Sequence, residues 1–147
     1  MFGVVYLPVP LAPRTLPEQP KHEYRSDVRL IPLRQFFNRC ECPAAEYAVD
    51  FLAVADEFAL DWRLLPSLSF VESTGGKSGS HNNLFGWNSG LARFDTPVAA
   101  IRFVGHHLAQ AAQYRSKSLD QVLATYNPVG QYAAKVKSVM QRISAVR

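Results

Sequence analysis

Glu72 closes the stretch Leu64-Leu-Pro-Ser-Leu-Ser-Phe-Val-Glu72, in which no other side chain is charged. A carboxyl group among apolar neighbours is costly to bury unless it is paired or functional. In the last turn of a helix it also faces the negative end of the macrodipole. Both effects disfavour the charged form, and an acid that keeps its proton can deliver it to a leaving oxygen. The same position also suits a structural glutamate that accepts from a loop amide or pairs with Lys77. The residues alone leave both readings open.

A second group follows at once. Asn82-Asn-Leu-Phe-Gly-Trp87 sets amides beside aromatic faces, the combination that stacks on sugar rings and hydrogen-bonds their substituents. Phe85 and Trp87 would serve equally as core under a loop. Tyr126, before Asn127-Pro128, offers a phenol at a helix end. After Glu72 the chain has only Asp95 and Asp120 as acids. Asp95 is placed to cap a helix and Asp120 lies in a first turn, so neither is an obvious partner for Glu72. A glycosidase built this way would work with one carboxylate, helped by the N-acetyl group of its substrate. Other chemistries find less support. His106 and His107 are adjacent and point about 100° apart on a helix, which argues against a shared metal. No zinc-protease, phosphate-loop or nucleophile-elbow motif occurs, so neither metal nor cofactor is expected. Cys40 and Cys42 are one residue apart, a strained spacing for a disulfide, and read as free thiols.

These residues need a scaffold, and 147 residues suffice for one domain with a sizeable core. The 48% hydrophobic and 19% charged content is that of a globular chain rather than a disordered or membrane-spanning one. Five prolines fall between Pro8 and Pro20, which makes residues 1–26 an extended tail or linker. The apolar run Phe2–Pro13 lacks the basic start and cleavage site of an export signal and is too short to span a bilayer.

From residue 27 to 147 the pattern predicts an all-α domain with at most one small hairpin. Helices are expected over Pro32–Cys40, Ala44–Ala59, Asp61–Ser73, Thr96–Tyr114, Leu119–Tyr126 and Gln131–Val146. Asp61 is expected to cap the third, which carries Glu72 and, with only Ser67 and Ser69 as polar relief, should be buried on most sides. Thr74-Gly-Gly76 should end it, and Phe85–Phe94 is the candidate hairpin. Residues 96–147 hold seven basic side chains against Asp120, a face suited to a polyanion or simply to water. No recognition-helix motif accompanies it, so nucleic acid is not expected as a partner.

Several ordered segments together resemble the glucosaminidase family of bacterial cell-wall hydrolases, within the lysozyme-like superfamily. They are Leu64-Leu-Pro-Ser-Leu-Ser-Phe-Val-Glu-Ser-Thr74, Asn83-Leu-Phe-Gly-Trp87 and Phe94-Asp-Thr-Pro-Val-Ala-Ala-Ile101. The ending Ala124-Thr-Tyr-Asn-Pro128…Tyr132-Ala-Ala-Lys-Val136 is similar to the Tyr-Asn motif and following helix of lytic transglycosylases. The resemblance covers Val28 to Ile143. It implies a lysozyme-like helical domain that cuts β-1,4 bonds of peptidoglycan glycan strands, with Glu72 as catalytic acid and Tyr126 beside the cleaved bond. Ser73, Asn83, Phe85, Gly86 and Trp87 would bind substrate. Residues 75–94, where the family's second acid lies when present, contain none. Hydrolysis, cleavage to an anhydro sugar, and a non-catalytic wall-binding module therefore stand as alternatives. The substrate would put the protein outside the cytoplasmic membrane, as a monomer, although no export signal is evident.

Overall fold

The computed structural model describes residues 22–146. Among them there are six α-helices and no strand: α1 Leu30–Arg39, α2 Ala48–Glu57, α3 Leu64–Ser73, α4 Pro97–Gln110, α5 Leu119–Tyr126 and α6 Tyr132–Ala145. The all-α expectation holds. Most of the expected Pro-rich tail lies outside the described residues, and its end, Tyr24–Ser26, forms a 3₁₀ turn.

Helix α3 is the axis of the domain. Leu64 to Ser69 are all buried, and α2, α4 and α6 pack around it. Burying Leu64, Leu65 and Leu68 contributes about 2 kcal/mol each. The buried serines divide. Ser69 returns its hydroxyl to the Pro66 carbonyl at 2.8 Å, whereas the Ser67 hydroxyl has no partner among the described residues. Gly105 lets α4 come close: a Cβ there would sit 2.5 Å from Val54 Cγ1 and 3.3 Å from Leu65 Cδ1.

The helix starts differ from the expected caps in an instructive way. Helices α1 and α3 both begin after an Asp-x-Arg segment, Asp27-Val-Arg29 and Asp61-Trp-Arg63. Asp61 does not cap α3 through amides inside the helix. It accepts the Arg63 backbone N–H at 2.9 Å and grips the Arg63 guanidinium at 2.9 and 2.6 Å. The N-cap position belongs to Arg63, because the carboxylate gains more from a charged fork in reach than from a third amide. At α4 the cap is Thr96, whose Oγ1 accepts from the Ala99 N–H at 3.0 Å, leaving Asp95 without that role.

Three boundaries are corrected. The expected second helix is a 3₁₀ segment, Pro43–Tyr47, followed by α2. Helix α4 ends at Gln110 rather than Tyr114, and the chain turns at Ala111 so that Tyr114 packs its ring against His107. The candidate hairpin does not form. Asn88, Ser89 and Gly90 take positive φ in succession (54°, 54° and 81°), which coils residues 86–92 into turns instead of extending them.

Candidate active site

Helix α3 delivers Glu72 to its last turn and then stops abruptly. Thr74 itself is left-handed, with φ of 52°, ahead of Gly75 and Gly76, so the reversal begins one residue earlier than the glycine pair suggested. A left-handed β-branched residue stores strain, and here it sits two residues from the carboxylate. Ser73 secures the reversal. Its buried hydroxyl lies 2.6 Å from the Leu84 carbonyl and 3.1 Å from that of Ser69, and accepts from the Gly76 N–H at 2.9 Å.

Asn83 secures the next loop. Its amide oxygen accepts from the Trp87 N–H at 2.8 Å and its amide nitrogen donates to the Trp87 carbonyl at 3.0 Å. With both ends committed and the residue 2% exposed, Asn83 shapes the aromatic loop and does not line the cavity beside Glu72. Ser73, 3% exposed, does not line it either. The structure gives both of these expected substrate-binding residues a positioning geometry.

That cavity measures about 350 Å³ and is lined by Glu72, Phe85, Gly86, Trp87 and Tyr126, together with Tyr114, Asn127 and the exposed pair Asn88 and Ser89. Five of the seven expected site residues therefore meet around one space. Trp87 stands edge-on to Tyr126 with ring centres 5.9 Å apart. Tyr126 donates to the Phe85 carbonyl at 3.3 Å, which ties the end of α5 to the aromatic loop. Gly86 has φ of 57°, and a Cβ there would come within 3.4 Å of Glu72 Oε2. Glycine keeps that carboxylate oxygen open to the cavity.

The residue in closest contact with Glu72 is Tyr132, at the first position of α6. Its phenol donates to Glu72 Oε1 at 2.5 Å, and its ring stacks on that of Tyr126, nearly parallel at 5.9 Å. Burial foremost, then the bond to Glu72, pushes the Tyr132 phenol far above the usual tyrosine range. Burial and the nearby Glu72 do the same for Tyr126. Both phenols stay protonated donors under any ordinary condition. Glu72, which lines the cavity, is thus held at Oε1 by a neutral donor, while Oε2 has no hydrogen-bond partner among the described residues.

Tyr132 is not among the site residues expected from the sequence. The available signal was a phenol two residues after the break at Asn127-Pro-Val-Gly130. Glu72 is the single carboxylate lining the cavity, and no lining residue is cationic. Among the described residues no cluster of three or more His, Cys, Asp or Glu side chains could hold a metal. Cys40 and Cys42 are free thiols. No described helix is long and apolar enough to cross a membrane. No protein-family model, curated protein or solved structure matches this chain.

Proposed function

We propose that this protein cleaves β-1,4 glycosidic bonds of the peptidoglycan glycan strand, outside the cytoplasmic membrane, with Glu72 as acid and then base. One observation carries the reading. Glu72 lines a cavity walled by Trp87 and Tyr126, with Tyr132 fixing one of its oxygens and no hydrogen-bond partner on the other among the described residues. Aromatic walls suit a sugar ring, and a carboxyl group held on one side delivers its proton in a fixed direction.

With one carboxylate at the cavity, the substrate supplies the nucleophile. Glu72 protonates the leaving glycosidic oxygen as the C1–O bond breaks. The N-acetyl carbonyl oxygen of the same sugar bonds to C1 and forms an oxazolinium ring. Water then attacks C1, gives its proton to the Glu72 carboxylate, and the ring opens back to the N-acetyl group. If the sugar's own 6-hydroxyl attacks in place of water, the product is a 1,6-anhydro sugar and no water is consumed. Mass spectrometry of fragments released from purified cell wall separates the two outcomes by one water. Glu72→Gln should lower release about a thousandfold, within the range for a lost general acid, with an unchanged circular dichroism spectrum. Undiminished release by the folded variant would sink the reading.

A further inference from the structure

Consecutive residues of α3 line two different spaces. Glu72 lines the cleft described above. Val71 before it and Gln131, which precedes Tyr132, line a groove of about 590 Å³ between α3 and α6. Phe70, Val71 and Val139 wall it, and Lys135 and Arg142 edge it. A smaller hollow of about 250 Å³ continues past Arg142 to Arg39 at the end of α1. No carboxylate lines either space.

Arg142 is held by aromatic rings. Like Arg39 and several other arginines, it has no aspartate or glutamate partner among the described residues. Its guanidinium lies over the rings of Phe36 and Phe70, 5.2 and 5.4 Å from their centres, with Nη2 3.9 Å from Cys40 Sγ. Two aromatic faces hold the planar fork in place and leave most of its donors to solvent, open to an incoming carboxylate. Lys135 lies two turns earlier on the same helix, about 10 Å along its axis, and also lacks a carboxylate partner among the described residues.

We propose that this groove binds the acidic stem peptide attached to the glycan strand, so that the protein prefers peptide-bearing over bare strands. The inference rests on the glycan-cleaving reading, since it puts the branch of the substrate beside the cleft that holds its backbone. The chemistry matches on both counts. A stem peptide offers short aliphatic side chains for Phe70, Val71 and Val139, and free carboxylates for a fork-shaped and a point cation. A linear polyphosphate would be better served by a row of cations on a solvated face than by two cations over an apolar floor.

The test compares wild type with Lys135→Ala/Arg142→Gln on strands that carry stem peptides and on strands stripped of them by an amidase. Wild type should favour the peptide-bearing strands, and the double variant should lose about tenfold of that preference through KM, one charge-assisted contact's worth. In parallel, free stem tetrapeptide is titrated into both proteins and followed by amide NMR shifts, with binding expected for wild type and loss expected for the variant. If the double variant does not fold, Lys135→Ala alone carries both measurements, because Lys135 is exposed. Equal preference in wild type and variant overturns the proposal. So does binding of teichoic acid at these residues with none of the tetrapeptide. If wild type cuts neither strand, the glycan reading fails, while the tetrapeptide titration still decides the groove.

Discussion

At Asp27 the partner of the carboxylate is a guanidinium, and at Glu72 it is a phenol. Asp27 accepts from the Arg29 backbone and side chain at 2.7–2.9 Å, and the same guanidinium reaches Asp56 at 2.8 Å. Those bonds, chiefly from the Arg29 side chain, hold Asp27 well below the usual carboxylate range and lower Asp56 as well. Such a carboxylate is a permanent anion, fit to fasten Tyr24–Ser26 and α1 to α2 but unable to give a proton near neutral pH. Glu72 takes its hydrogen bond from a group that brings no charge, and no cation lines its cavity. The two carboxylates thus differ in the charge of the group that holds them: a cation fastens Asp27, and a neutral phenol holds Glu72.

Changing the partner tests that contrast most strongly. Tyr132→Phe keeps the ring and its stacking on Tyr126 but removes the donor at Glu72 Oε1. Glycan cleavage should fall about ten- to a hundredfold, the worth of one hydrogen bond to a charged group, mostly in kcat. A variant with wild-type kcat would leave Tyr132 a packing residue. Asp27→Asn should do the reverse, costing about 2 kcal/mol of stability and leaving the kcat of folded protein unchanged. Its pH dependence carries a definite sign. Because the folded-state pKa of Asp27 is depressed, the stabilisation is complete above the ordinary aspartate value of about 3.9 and is lost as pH falls below it. Melting curves of wild type and variant should therefore stand apart at neutral pH and converge in acid. A gap that persists at low pH would mean the fastening does not depend on the charge. The smallest effect is expected at Gly86→Ala, with about 1–2 kcal/mol for a side chain in left-handed backbone, and with weaker cleavage as the new methyl crowds Glu72 Oε2. A variant that is destabilised but cleaves normally would show that the opening over Oε2 is wider than its neighbours imply.

The two regions also differ in how legible they were. Asp-x-Arg pairs span two residues, and both were visible in the sequence, yet Asp61 was expected to cap amides in its helix. The charged fork two residues on, always within reach, took that carboxylate instead. Around the cleft, five residues chosen by type, Glu72, Phe85, Gly86, Trp87 and Tyr126, line one cavity. They could not distinguish Asn83 and Ser73, whose polar atoms point into the loop's own backbone, from residues that face a ligand. An amide in a sugar-binding loop and an amide that shapes the loop have the same composition.

By itself the sequence determined an all-helical fold, the burial of residues 64–69 in one helix, and the placing of one acid near its end. Those features come from periodicity and from side chains a few residues apart, whose reach is fixed by the helix repeat. The coiling of residues 86–92 and the early end of α4 were settled by the backbone geometry of the folded chain. The meeting of Tyr132 with Glu72 across 60 residues of chain depended on contacts across the fold. No local spacing encodes that pair. The packing of α6 on α3 brings the phenol to the carboxylate.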